Sequence, residues 1–106
     1  MGLDATMSTA DGVATVVLAG EADSETAPML NELITTVTAS PVRQLVLDVR
    51  GLTYLSSAGL RSLVFAHQTL GRGVEIVLVG ARPEVARTIR LTGFDRSVTL
   101  ADEVPR

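Results

Sequence analysis

Two adjacent serines, Ser56 and Ser57, carry the side chains of this chain that are best placed to do chemistry. They follow a largely apolar segment over residues 44–49 and precede leucines at helical spacing, Leu60 and Leu63. A serine at the start of a helix can cap the helix, act as a nucleophile or accept a phosphate. The other residues of the chain and the predicted topology help to distinguish these three roles.

Capping is the commonest role of a serine at a helix start, and it suits Ser56 well. The Ser56 hydroxyl is placed to accept a hydrogen bond from an N–H group of the first turn, which has no partner inside the helix. Ser57 would then lie one residue inside the helix, with its hydroxyl directed outward. Capping leaves the function of Ser57 unexplained.

A nucleophilic serine requires a neighbouring base and an oxyanion hole. The chain has one histidine, His67, ten residues beyond Ser57. At about 1.5 Å per helical residue it lies about 15 Å away, beyond contact. The Gly-x-Ser-x-Gly elbow, the Walker loop and the Gly-x-Gly-x-x-Gly motif are all absent. With no cysteine either, we expect no catalytic residue, no metal site, no cofactor and no enzymatic activity.

A phosphate on Ser57 is the third role, and the helix start would tolerate it. A phosphoserine adds about −1.5 to −2 charges. The free N–H groups and the positive end of the helix dipole stabilise such a charge, so we expect little change in fold. A partner docking at this surface would meet a dianion next to Asp23, which amounts to a local electrostatic switch.

The hydrophobic spacing predicts the elements that must position these serines. Predicted strands cover residues 3–9, 13–19, 44–49, 74–79 and 97–100, and predicted helices cover 26–39, 57–70 and 83–92. The order β-β-α-β-α-β-α-β predicts an α/β fold with a mixed, mostly parallel sheet and three to four helices. We expect residues 1–106 to form one domain, because this length is near the common domain size.

The topology itself predicts a cluster of polar side chains. Loops that follow parallel strands emerge at the same carboxyl edge of a sheet, where α/β proteins usually place binding sites. Here those loops hold Glu21 and Asp23, then Ser56 and Ser57, then Arg82. We therefore expect these residues at one edge, although turn and cap chemistry alone would also explain the two carboxylates.

Composition and charge exclude several classes of partner. Hydrophobic residues make up 46% and charged residues 20% of the 106 residues, which is typical of a folded globular domain. A net charge of −3 disfavours nucleic acid, whose partners usually present a basic face. No apolar run approaches the roughly 18 residues of a membrane span, and we expect no secretion signal, because the first residues lack a basic region followed by an apolar stretch. We expect a cytoplasmic protein that does not bind membranes.

Four stretches of the chain carry a resemblance to a known family. They are AGEAD at 19–23, LVLDV at 45–49 leading into LTYL at 52–55, SSAGL at 56–60, and LTGF at 91–94. In order and spacing the chain resembles a STAS domain of the anti-sigma-factor antagonist type over about residues 5–100. The SSAGL motif in a strand–loop–helix context is the most specific of the four.

The resemblance implies a function and a set of site residues. In this family the serine two positions before the glycine is phosphorylated, which corresponds to Ser57. The kinase is the anti-sigma factor itself, which uses ATP, and a metal-dependent serine phosphatase reverses the reaction. The unphosphorylated antagonist binds the anti-sigma factor and frees the sigma factor. We expect the partner to contact Asp23, Ser56, Ser57, Gly59 and Arg61.

The chain departs from the family pattern at two positions. Residue 56 is serine where many members have aspartate, and Ala22 stands where leucine is usual, which predicts looser packing under the Asp23 loop. Gly59 disfavours helix in the first turn and indicates either close approach of a partner backbone or tight internal packing. A STAS module of another assembly, a stressosome scaffold or an accessory subunit of a lipid-transport ATPase, is the alternative.

Overall fold

Strands and helices alternate along the chain after an N-terminal hairpin. The computed structural model describes residues 2–71 and 73–103. The strands are β1 Leu3–Ala10, β2 Val13–Ala22, β3 Gln44–Leu55, β4 Glu75–Val79 and β5 Thr99–Ala101. The helices are α1 Ala27–Val37, α2 Ser57–Leu70 and α3 Pro83–Thr92, with a 3-10 turn at Phe94–Arg96. The predicted element order is confirmed. None of the helices within the described residues is long and apolar enough to cross a membrane.

The five strands form one sheet in the order β1-β2-β3-β4-β5. The first two strands are antiparallel, while β2, β3, β4 and β5 run parallel to one another. The hairpin turns at Asp11 and Gly12, which both have positive φ, at 52° and 78°. This geometry matches the right-handed twist of the two strands. Because each parallel crossover joins neighbouring strands with the same hand, all three helices lie on one face.

The core lies between this helical layer and the sheet. Leu45, Leu47 and Val49 of β3 are fully buried and face the helices. The helices contribute Leu30 and Ile34 from α1, Leu60 and Leu63 from α2, and Val85 and Ile89 from α3. Full burial of one such aliphatic side chain contributes about 1.5–3 kcal/mol. Aliphatic packing of this kind orients α2, and with it the two serines.

The opposite face of the sheet carries a second, smaller apolar cluster. Val46, Val77 and Val79 are 0%, 0% and 1% exposed and pack with one another and with Val13 and Ala101. All of these residues belong to strands, so no helix contributes to this cluster among the described residues. Strand β3 is therefore buried on both faces, and among the described residues helices cover only one of them.

Strands β2 and β3 extend further toward the site than the sequence predicts. Their pairing continues through Glu21–Tyr54 and ends at Ala22–Leu55. The register shifts between Val17 and Ala19 and again before Glu21, so the two-residue alternation is broken. The prediction of a loop from residue 20 was wrong for this reason, and Glu21 lies in a strand. The two strands therefore run in parallel as far as the edge of the sheet where α1 and α2 begin.

Asp48 is a buried acid in the middle of β3. Its carboxylate accepts hydrogen bonds from the Arg50 N–H at 3.2 Å, from Nε at 2.9 Å and from Nη2 at 2.6 Å. The hydrogen bonds from the Arg50 side chain are the main reason that the pKa of Asp48 lies below its usual value. Asp48 therefore satisfies an N–H group of its own strand and forms an ion pair with Arg50.

We predict that Asp48→Asn lowers the free energy of unfolding at pH 7 by about 1 kcal/mol. The value is modest because the Arg50 side chain is 68% exposed and screened by water. A lowered folded pKa stabilises the protein above the unfolded pKa of about 3.9, and this contribution is lost as pH falls through the folded value. Urea unfolding at pH 7 and at about pH 3 should show the difference narrowing in acid.

The matched control is Asp102→Asn, which removes an exposed carboxylate. It should leave stability unchanged within about 0.5 kcal/mol at both pH values. A loss for Asp48→Asn that is the same at both pH values would show that the ion pair is not its cause.

Candidate functional site at the carboxyl edge of the sheet

The end of β2 and the start of α2 are joined by a backbone hydrogen bond. The Ser56 N–H donates to the Ala22 carbonyl oxygen at 2.8 Å. Ala22 is the last residue of β2, so Asp23 follows it directly, beside the residues that follow β3. The prediction that the loops after β2 and β3 meet at one edge is confirmed.

Ser56 is the N-cap of α2. Its backbone is extended, and its Oγ accepts a hydrogen bond from the Gly59 N–H at 3.2 Å. Its carbonyl accepts the first helical hydrogen bond, from the Leu60 N–H at 2.9 Å. The predicted capping role of Ser56 is confirmed.

Ser57 is the first residue of α2, and its side chain is exposed. Its hydroxyl forms no hydrogen bond with any residue in the ranges 2–71 and 73–103. His67 lies on the same helix, where its ring packs edge-on against Phe94 with 6.2 Å between ring centroids. Ser57 therefore presents an unengaged hydroxyl to solvent and has no histidine base beside it.

Asp23 shapes the turn that leads into α1. Its Oδ1 accepts hydrogen bonds from the Thr26 N–H at 3.1 Å and the Glu25 N–H at 3.0 Å. The hydrogen bond from the Thr26 backbone is the main reason that the pKa of Asp23 is lowered. Thr26, which the sequence pattern did not single out, donates from Oγ1 to the Glu21 carbonyl at 2.9 Å. Turn chemistry is thus an observed role of Asp23, and contact with a partner stays a prediction.

Gly59 sits where α2 comes closest to β2. A Cβ on Gly59 would lie 2.6 Å from the Ala22 carbonyl oxygen and 2.9 Å from the Ala22 Cβ, closer than real contacts allow. Of the two explanations for this glycine, tight internal packing is observed. Ala22 is 1% exposed, and the expected looser packing under the Asp23 loop stays a prediction. A direct partner contact at the buried Gly59 stays a prediction.

Arg61 is exposed one turn after Ser57, with its Nε 3.5 Å from the Ser57 carbonyl oxygen. It borders a groove of about 360 Å³ between α1 and α2. The groove is lined by Ser24, Ala27, Pro28, Asn31, Ala58, Arg61, Ser62 and Phe65. Phe65, which the sequence analysis did not single out, is 50% exposed. An aromatic residue outside the apolar stripe of its helix is the sequence feature that could have indicated this groove. Arg82 is not among the residues that line this groove. Its Nε donates a hydrogen bond to the Arg50 carbonyl oxygen at 3.1 Å.

The fold and the serine-bearing helix start define the class of protein. Residues 4–106 match the STAS domain family, and the chain belongs to that family. It is 33% identical over 95 residues to the anti-sigma-F factor antagonist RsfB of Mycobacterium tuberculosis, covering 90% of this chain and 78% of RsfB. It is 27% identical over 95 residues to the anti-sigma-B factor antagonist of Staphylococcus aureus, covering 89% and 88% of the two chains.

A solved structure gives the same assignment. The crystal structure of an anti-sigma factor antagonist from Mycobacterium paratuberculosis superposes with a TM-score of 0.88 at 32% sequence identity. The superposition covers 96% of this chain and 87% of that protein. The likeness therefore spans nearly the whole chain.

We predict that Gly59→Ala lowers the free energy of unfolding by about 1–2 kcal/mol. Alanine favours helix by up to about 1 kcal/mol, but overpacking costs about 1–3 kcal/mol, and the atoms in the way are backbone atoms. Urea unfolding measures the difference. Gly73→Ala is the control because a Cβ there meets nothing within 4 Å. A Gly59→Ala protein as stable as the native chain would contradict the packing role.

We also predict that the two serines differ in their effect on stability. Ser56→Ala removes the cap of α2 and should cost about 1 kcal/mol. Ser57→Ala removes an exposed hydroxyl and should change stability by less than about 0.5 kcal/mol. Parallel urea unfolding of both variants provides the measurement. Equal losses would mean that the capping and exposed roles are not divided between the two residues in this way.

Proposed function

We propose that this chain is an anti-sigma-factor antagonist, a binding protein without catalytic activity that acts in the cytoplasm. Its unphosphorylated form binds an anti-sigma factor that is also a serine kinase, and this binding releases a sigma factor. Membership of the STAS family and the names of its relatives support the antagonist role. The observation that carries the proposal is the exposed, unengaged Ser57 hydroxyl at the start of α2.

Phosphorylation of Ser57 ends the interaction. The Ser57 Oγ attacks the γ-phosphorus of ATP bound by the kinase, a new O–P bond forms, and the bond to the β–γ bridging oxygen breaks. ADP leaves, and the hydroxyl proton passes to a base of the kinase, because His67 lies too far along α2 to accept it. A metal-dependent serine phosphatase hydrolyses the phosphoester and restores the active antagonist.

The phosphate alters the surface without disturbing the core. Ser57 is exposed, so the phosphate displaces no buried group. The N–H groups and the helix dipole at the start of α2 stabilise the added charge of about −1.5 to −2. A partner that fits the neutral surface then faces repulsion and loses a close contact. The switch is electrostatic and local.

Five residues form the proposed partner-binding surface. Ser57 and Arg61 are exposed and offer direct contacts, while Asp23 and Ser56 are half-buried at the strand ends. Gly59 contributes by allowing α2 to pack closely against β2, which fixes the position of Ser57 relative to the end of β2. The oxygen Oδ1 of Asp23 is engaged in the turn, so its Oδ2 is the atom that faces a partner.

The test is phosphorylation by the cognate kinase. The full chain, incubated with the serine-kinase anti-sigma factor of its own organism, ATP and Mg²⁺, should gain the mass of one phosphate. Ser57→Ala should abolish the gain, and Ser97→Ala, a control at an exposed serine outside the proposed partner-binding surface, should retain it. Intact mass spectrometry with site mapping gives the answer. A phosphorylated Ser57→Ala protein would show that the modified residue lies elsewhere.

The switch itself is tested by affinity. Ser57→Glu places negative charge at the helix start and should weaken binding to the same anti-sigma factor about tenfold or more, because like charges at an interface cost several kcal/mol. Isothermal titration with the native chain and Ser57→Ala for comparison measures the change. Equal affinity of all three proteins would exclude an electrostatic switch at this position.

A further inference from the structure

Arg61 stands beside the proposed phosphorylation site and pairs with no carboxylate among the described residues. Residues four apart on a helix are neighbours on its surface, so Arg61 lies next to Ser57. Its side chain folds back toward the helix start, and Nε reaches to 3.5 Å from the Ser57 carbonyl oxygen. Within the described part of the chain the one ion pair joins Arg50 and Asp48, so Arg61 forms none there.

We propose that Arg61 is the ligand, within the same chain, of the phosphate on Ser57. This inference rests on the proposed phosphorylation of Ser57 and adds a residue that receives the modified group. The planar guanidinium presents several N–H donors in a fork that matches phosphate oxygens, often in pairs. Its present contact with the Ser57 carbonyl is long, at 3.5 Å, and is easily exchanged for a charge-assisted bond.

The neighbouring acids do not compete for Arg61. Ser24 and Arg61 line the same groove, so the loop that carries Asp23 and Glu25 lies beside this arginine. Asp23 is engaged through Oδ1 in the turn before α1, and neither carboxylate forms an ion pair with Arg61. The guanidinium is therefore available when the phosphate arrives.

The phosphate then changes the docking surface in two ways. It adds negative charge at Ser57, and it draws the Arg61 guanidinium away from the groove between α1 and α2. A partner that uses Arg61 as a cationic contact loses that contact in the same step. A single modification thus removes an attraction and introduces a repulsion.

The test installs phosphoserine at position 57 of the full chain by genetic code expansion, so that no kinase is needed. Phosphorus NMR titration then measures the second pKa of the phosphate, whose ordinary value is about 6. Arg61→Gln should raise this pKa by at least about 0.3 unit, a twofold change in the protonation equilibrium. Arg61→Lys keeps the positive charge but lacks the forked donors of a guanidinium, so its phosphate pKa should lie between those of the native chain and Arg61→Gln.

The matched control is Arg96→Gln, which removes an exposed arginine just beyond α3, at the opposite edge of the sheet. It should leave the phosphate pKa unchanged. The proposal would be overturned if the phosphate pKa were the same in the native chain and in Arg61→Gln. It would also be overturned if Arg96→Gln shifted the phosphate pKa as much as Arg61→Gln, because the shift would then come from the net charge alone. Because the phosphate is installed directly, either result is independent of whether the kinase modifies Ser57.

Discussion

The site depends on one close contact, that between the first turn of α2 and the last residue of β2. The Ala22 carbonyl oxygen accepts the Ser56 N–H and at the same time approaches the Cα of Gly59 so closely that a side chain there has no room. A hydrogen bond and a steric limit on the same oxygen fix both the position and the direction of the helix. The cap, the exposed hydroxyl and the arginine one turn later all take their places from it.

The layered fold explains why such a contact is possible in a chain of 106 residues. All three helices lie on one face of the sheet, so the aliphatic core is concentrated between two layers and orients α2 firmly. On the other face, Val46, Val77 and Val79 pack with one another and with Val13 and Ala101. The carboxyl edge remains open, because the strands that end there lead into turns stabilised by their own polar groups, as at Asp23 and Thr26.

The sequence predicts much of this arrangement and misses parts of it for physical reasons. Helix α2 is predicted with its observed limits, because leucine spacing and a serine cap mark it clearly, and the structure places its C-cap at Gly71. The ends of β2 and β3 are missed, because shifts in register break the alternation on which strand prediction depends. The partners of Asp23 and of Gly59 are missed as well, since local sequence does not specify which backbone atom packs against a glycine.

The exposure of Ser57 has a consequence for the speed of response. The hydroxyl is neither buried nor hydrogen-bonded within the described chain, so no local unfolding has to precede its encounter with an enzyme. Under the proposed phosphorylation of Ser57, the rate of modification would then be set by collision and by the chemistry of the enzyme rather than by an opening of the fold. On that proposal, the regulatory state would be held in a covalent bond while the fold stays the same, and it could follow rapid changes in the activities of the modifying enzymes.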